Sequence, residues 1–256
     1  MRVTEPIRPV CLVTGGAKRI GRAILTALAP DFDLAVHANR STEEAEALAD
    51  ALQGQGARTA VLQADFADPE AAGTMVEAAA ARFGRLDLVV NSASLFEYDS
   101  PSAFSAEHMQ RLLAINLTAQ MVVARAFGKV GSAEATLIQM LDNKVLAPNP
   151  DFFSYSLAKF ALKGAVDMLA LHHRGRMRVC GIAPGVTLPS GDQGAENFEK
   201  SWRHSLTGTG ATPADIAAAV RFIWQTKSIN GETIVLDGGQ RLMSLERDVA
   251  FVAEAE

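Results

Sequence analysis

Tyr155 and Lys159 stand four residues apart at the start of a long helical stretch. On a helix that spacing puts a phenol and an ammonium on one face. A phenol with its ordinary pKa near 10 is a slow acid or base at neutral pH. A neighbouring ammonium stabilises the phenolate and draws that pKa down, as proton transfer near pH 7 requires. A tyrosine and a lysine at this spacing occur often by chance, so the pair gains meaning from the rest of the chain.

The segment Thr14-Gly15-Gly16-Ala17-Lys18-Arg19-Ile20-Gly21 follows the first apolar run and leads into a helical stretch near Arg22. Glycines let a backbone approach a pyrophosphate, and a helix N-terminus adds free N–H groups and a positive dipole end. Gly15, Lys18, Arg19 and Ile20 are therefore expected around the phosphates of a dinucleotide. The second apolar run ends in His37-Ala38-Asn39-Arg40-Ser41. An acidic residue here would bond a ribose 2′-hydroxyl and select NAD. Asn39, Arg40 and Ser41 stand there instead. A guanidinium and a hydroxyl suit a 2′-phosphate, with Lys18 or Arg19 adding charge, which points to NADPH/NADP. The plain alternative is a solvated Arg40 and a Ser41 that caps the next helix; Ser41 can do both. After the third run, Asp65 and Phe66 could bracket an adenine, or Asp65 is an ordinary turn residue. After the fourth, Asn91-Ser92-Ala93-Ser94 offers small residues that leave room for a ribose or nicotinamide. Lys159 has donors for ribose hydroxyls as well.

These groups need a scaffold, and the pattern of apolar runs supplies one. Strands are expected at about 10–14, 34–37, 59–63, 86–90, 135–141, 178–182 and 233–236. Helices are expected at 42–52, 69–83, 106–127, 155–172 and 213–225. The strand segments are continuously apolar, as in a sheet covered on both faces. Alternating strands and helices imply right-handed βαβ units. The expected fold is α/β: a single doubly wound Rossmann domain of about seven parallel strands with helices on both faces. Its core spans about residues 10–242, followed by a tail at 243–256. The longest irregular stretch, 184–210, is expected to be functional.

At 256 residues the chain can bury a full core, and its formal net charge of −5 argues against a nucleic-acid partner. No apolar run of about eighteen residues occurs, and the first ten residues lack the apolar stretch of a signal peptide. Cys11 and Cys180 sit in apolar runs and read as buried thiols of a cytoplasmic protein, with no metal-ligand spacing. His172 and His173 read as charge partners at a helix end. Trp224 reads as helix packing, and Trp202 as packing or as a cover over substrate.

Taken together, these motifs resemble the short-chain dehydrogenase/reductase family from about residue 10 to 242. TGGAKRIG resembles its TGxxxGxG turn, with Arg19 in place of the middle glycine. NSAS resembles its NNAG, Asn116 falls at its helix asparagine, and Tyr155 to Lys159 is its YxxxK. Ile182-Ala183-Pro184-Gly185 resembles the loop facing the nicotinamide, extending cofactor contact through Pro184, Gly185 and Val186. Asp237-Gly238-Gly239 resembles its C-terminal signature. The resemblance implies Asn116, Tyr155 and Lys159 as catalytic residues and a homotetramer with the Tyr155 helix at one interface.

One departure narrows the likeness. The family places a serine about a dozen residues before its tyrosine, and Asp142 takes that place here. With AKRIG, the NRS end of the second run and NSASLF, this looks like the pteridine reductases and the related dihydromonapterin reductases. That likeness implies a pterin pocket of Ser94, Phe96, Asp142 and Tyr155, with Phe96 stacking on the ring. An ionised carboxylate would repel a developing alkoxide, where a serine would stabilise it. It can orient Tyr155, or deliver a proton if burial raises its pKa. Both suit reduction of a C=N bond, whose nitrogen takes up a proton. Asp142 could instead cap the following loop. Two other functions stay open: a carbonyl reductase acting on an unrelated ketone or aldehyde, and a non-catalytic NADP-binding sensor.

Overall fold

The computed structural model describes residues 8–255. Residues 1–7, read above for a signal segment, and Glu256 at the end of the tail lie outside the described residues. Seven strands form one parallel sheet: β1 (Val10–Thr14), β2 (Asp33–Ala38), β3 (Thr59–Gln63), β4 (Leu88–Asn91), β5 (Ala135–Met140), β6 (Met177–Pro184) and β7 (Thr233–Leu236). Their order is β3-β2-β1-β4-β5-β6-β7. The helices are α1 (Arg19–Leu28), α2 (Thr42–Gln53), α3 (Pro69–Phe83), α4 (Ala106–Leu113), α5 (Ala119–Val130), α6 (Phe153–His172), α7 (Ala195–Arg203), α8 (Pro213–Gln225) and α9 (Val249–Ala255).

The unbroken apolar runs have a direct cause. Side chains alternate across a strand. In β1, Cys11 and Val13 enter the core shared with α1, α2 and α8, while Val10 and Leu12 enter the core shared with α3 and α5. The chain winds outward from β1 to β3, then returns to place β4 on the other side of β1. That reversal opens a crevice beyond the carboxyl ends of β1 and β4, where open α/β sheets bind ligands.

Four local features differ from the sequence reading. First, α1 begins at Arg19 rather than near Arg22. Second, the helix expected at 106–127 is α4 and α5 joined by a π turn at Ala114–Thr118, with Asn116 inside it. Such turns recur at functional sites because they re-aim a side chain without ending the helix. Third, the 184–210 stretch is not wholly irregular, since it carries α7. Fourth, Gln240–Met243 form a 3₁₀ turn, and the tail that follows carries α9. Among the described residues, no helix is long and apolar enough to cross a membrane.

Candidate active site

The turn after β1 is locked to the end of β4. Thr14 Oγ1 accepts the N–H groups of Ser92 at 2.9 Å and Ala93 at 3.0 Å. Gly15 has φ +64°, and a Cβ there would lie 3.0 Å from Ala93 Cα. A Cβ on Gly21 would lie 2.3 Å from the Gly15 carbonyl oxygen. Only glycine fits either place. Lys18 is the N-cap of α1 and makes no side-chain capping bond, which leaves the first-turn N–H groups open to an anion. Arg19 takes φ +53°, a left-handed conformation rare outside glycine, and its Nη2 donates to the Pro189 carbonyl at 2.8 Å. The arginine thus links the phosphate turn to the loop after β6.

Sequence reading missed His37. Its Nδ1 accepts the Gly15 N–H at 3.0 Å, and its Nε2 faces the Ala64 carbonyl at 3.1 Å. Burial holds its pKa below the ordinary value, so the ring is neutral with its proton on Nε2. A histidine at the end of β2 is the only signal in the sequence. His37 also stacks on Phe66, centroids 4.6 Å apart. Phe66 is only 4% exposed, so its ring offers no face to an adenine, contrary to the expectation above. Asp65 is accessible beside it and accepts from Asn39 Nδ2 at 3.0 Å. Asn91 is likewise buried, donating to Gln139 Oε1 at 3.1 Å and the Gln120 carbonyl at 3.3 Å. It ties β4 to β5 rather than facing a cofactor. Arg40 is exposed, and Ser41 holds the N-cap position of α2 without a capping bond from its side chain. Its hydroxyl is therefore free for another acceptor or donor. Lys18 reaches the same corner, paired with Glu44 at 2.6 Å.

Tyr155, Lys159 and Asp142 meet at the crevice. Tyr155 Oη donates to Asp142 Oδ2 at 2.9 Å. Asp142 Oδ1 accepts the Lys144 N–H at 2.9 Å, so the carboxylate caps the following turn and also holds the phenol. Lys159 Nζ donates to the Met140 carbonyl at 2.6 Å. Burial pulls the Lys159 pKa down to about 8. Burial raises the Asp142 pKa, because it disfavours the charged carboxylate. Tyr155 departs from the expected direction. Burial, and then the Asp142 charge, push its pKa well above 10, so the phenol stays protonated. Asn116 touches neither Tyr155 nor Lys159 through a hydrogen bond. Its Oδ1 accepts from Ser94 Oγ at 3.0 Å and Leu95 N–H at 2.8 Å, and its Nδ2 donates to the Leu95 carbonyl at 2.8 Å. These bonds fix the segment after β4.

The crevice encloses about 850 Å³. Gly15, Lys18, Arg19 and Ile20 line one end; Ser92, Ala93, Ser94, Pro184, Gly185 and Val186 line the middle with Tyr155 and Lys159. Phe96 is 36% exposed and stacks on Phe152 with centroids 4.0 Å apart, while presenting an edge-to-face contact to Tyr155 at 4.7 Å. Sequence reading missed Phe152, and also the tail, whose Leu245, Asp248 and Phe251 complete the far end. Trp202 does not cover this space; its Nε1 donates to the Ala211 carbonyl at 3.0 Å. His173 is buried, and burial lowers its pKa, so it is a packed neutral ring rather than a charge partner. A second depression of about 790 Å³, between α1 and α8, is lined largely by alanines and by Arg19, Arg22 and Arg221, with no carboxylate or histidine among its walls.

The chain belongs to the short-chain dehydrogenase family, whose model matches residues 9–200. It is 38% identical to FolM alternative dihydrofolate reductase 1 from Brucella suis, solved in complex with NADP; the match covers 91% of this chain and 95% of that one, with a TM-score of 0.87. It is 32% identical to D-threitol dehydrogenase from Mycolicibacterium smegmatis over 90% of this chain and 92% of that protein. It is 27% identical to pteridine reductase 1 from Leishmania tarentolae over 93% of this chain and 98% of that protein.

Proposed function

We propose that this chain is an NADPH-dependent reductase whose substrate is a pterin, either a dihydropterin or an oxidised pterin. The observation that carries the proposal is the Tyr155–Asp142 hydrogen bond beside a stacked aromatic pair, Phe96 and Phe152. The NADP-bound Brucella suis relative and the Leishmania tarentolae pteridine reductase support it.

The crevice fits a dinucleotide on its own terms. The glycine-lined turn and the uncapped start of α1 suit a pyrophosphate, with Lys18, Arg19 and Ile20 around it. Arg40, Ser41 and Asn39 suit a 2′-phosphate, with Asp65 near the adenine. Ser92, Ala93, Ser94, Pro184, Gly185 and Val186 flank the nicotinamide end. When bound, the cofactor supplies a hydride. Lys159 spends one donor on Met140 and keeps two for ribose hydroxyls. Tyr155, kept protonated by its surroundings, is the proton donor, and Asp142 fixes the direction of its O–H. Because burial favours the neutral Asp142 carboxyl, that group can itself pass a proton to a ring nitrogen. Hydride addition to the carbon of a C=N bond leaves an electron pair on the ring nitrogen, and a proton from Tyr155 or from the neutral Asp142 carboxyl neutralises it. Where Asp142 is ionised it would repel the alkoxide that a ketone develops, which weighs against a threitol-like substrate. Ser94 and Phe96 hold the flat ring against the nicotinamide.

The exposed face of α6 carries Leu157, Phe160, Met168 and Leu171, which supports a homotetramer with this helix at an interface. Phe96→Ala tests the pterin assignment. Aromatic stacking on a base-like ring contributes roughly 1–3 kcal/mol, so the KM for dihydrobiopterin should rise about five- to a hundredfold. NADPH affinity should stay as it was, and methotrexate should compete with pterin in the parent. A destabilised variant with unchanged pterin KM, or no competition by methotrexate, would overturn the assignment.

A further inference from the structure

One buried cation lies in the crevice beside the groups above, and its charge works against the burial that raises the Asp142 pKa. The Lys144 side chain is 7% exposed and lies in the turn that follows Asp142. Its Nζ donates to Asn149 Oδ1 at 2.8 Å and pairs with Asp248 Oδ2 at 2.7 Å, and it lies 5.5 Å from the Phe152 ring centroid. Its backbone N–H holds Asp142. An ammonium held by two oxygen partners deep in a binding crevice, joining two segments far apart in sequence, is an expensive feature unless it sets a geometry.

The partner segment is the tail. Asp248 N–H donates to Asp151 Oδ2 at 2.7 Å, and Arg247 makes two 2.8 Å bonds to the same carboxylate. Asp248 Oδ1 accepts the Ala250 N–H at 3.0 Å, and Asn197 Nδ2 donates to the Ala250 carbonyl at 2.8 Å. These bonds set Phe251 parallel to Phe152, centroids 6.3 Å apart, and edge-on to Tyr98 at 5.5 Å. Leu245, Asp248, Val249, Ala250 and Phe251 then face the crevice opposite the cofactor end. Phe152 stacks on Phe96, and Phe96 meets Tyr155, so the tail, the aromatic pair and the proton donor form one connected frame.

We propose that Lys144 is a positioning residue whose ammonium fastens residues 245–251 to the 143–152 turn, making the tail of the same chain the wall that determines substrate specificity. This rests on the reading of the crevice as the substrate site and holds whether the substrate is a pterin or another flat ring. The occupied donors of Lys144 tie down protein groups, so it acts through wall geometry. Its loss should weaken substrate recognition more than turnover, and should leave the distant phosphate turn alone.

The test compares Lys144→Met, Lys144→Arg and Asp248→Asn in the full-length protein. Asp248→Asn keeps an oxygen for the Ala250 N–H and serves as the second variant should Lys144→Met fold poorly. In the ligand-free protein, amide exchange across 249–253 should quicken about tenfold or more in Lys144→Met and Asp248→Asn. For dihydrobiopterin, KM should rise about tenfold while kcat falls less than about threefold, and Lys144→Arg should restore most of the KM. NADPH affinity should stay within about twofold. If the parent reduces none of dihydrobiopterin, dihydromonapterin, dihydrofolate and biopterin, the pterin assignment has failed by itself, and the same split is read with phenanthrenequinone, a flat diketone. Unchanged exchange at 249–253, a loss confined to kcat, an equal loss of NADPH affinity, or no rescue by arginine would each overturn the proposal.

Discussion

Asp142→Asn in a Tyr98→Phe background isolates the Tyr155 phenol, because the chain has only two tyrosines. In the parent, Tyr155 Oη donates to the Asp142 carboxylate at 2.9 Å, and its pKa stands well above 10 through burial and that nearby charge. A tyrosinate would face a like charge, so neutralising Asp142 favours tyrosinate and lowers the pKa. A hydrogen bond to a charged group contributes about 1.5–3 kcal/mol. At ~1.4 kcal/mol per pKa unit, the expected fall is about one to two units. Burial is the same in both proteins, so it cancels from the difference. Tyrosinate absorbance against pH measures the midpoint, with thermal stability followed at each pH. In the Tyr98→Phe protein with Asp142 intact, the signal should come at higher pH or only with alkaline unfolding. An unmoved midpoint would refute the coupling and with it the role given to Asp142.

Tyr155→Phe keeps the ring and removes the proton; turnover should fall about a hundredfold or more, with NADPH binding nearly intact, and a rate within a few-fold of the parent would contradict the proton-donor role. Lys159 has a pKa of about 8, lowered by burial, so it carries its charge below that pH and loses it above. The kcat/KM profile should therefore decline as pH rises through about 8, and Lys159→Arg should remove that limb; a limb that persists belongs to another group. Arg40→Ala should remove one charge-assisted bond to the 2′-phosphate, about 1.5–3 kcal/mol. NADPH should then bind roughly ten- to a hundredfold more weakly, with NADH nearly unchanged; equal losses for both would show that Arg40 does not read the phosphate.

The sheet was legible because strands β1, β2, β4 and β5 are buried on both faces, which leaves runs such as VCLVT in β1 without polar alternation. The convergence of Tyr155, Lys159 and Asp142 was legible for a similar reason: spacing on α6 and the end of β5 decides which groups meet. Side-chain direction was less accessible. Asn91 stands next to Ser92, which lines the crevice, and Phe66 next to the accessible Asp65, yet both point into the interior, where Gln139 and His37 meet them. The π turn at Asn116 leaves the apolar pattern of the surrounding helix intact, so nothing in the sequence marks it. α7 was missed because it is short and mostly polar, with Phe198 and Trp202 its only large apolar residues. The direction of the Tyr155 shift turned on a balance: the ammonium of Lys159 is engaged by Met140, while Asp142 and burial act on the phenol directly. The closure of the crevice by the tail depends on pairs such as Lys144–Asp248, whose partners are too distant in the chain for spacing to reveal.

The most direct measurement is NADPH oxidation by the purified protein with dihydrobiopterin, dihydromonapterin, dihydrofolate, biopterin and a set of simple ketones side by side. A pterin reductase built on the Tyr155–Asp142 pair will oxidise NADPH with at least one of the pterins and work poorly on the ketones. Ready turnover of ketones with none of the pterins would contradict it.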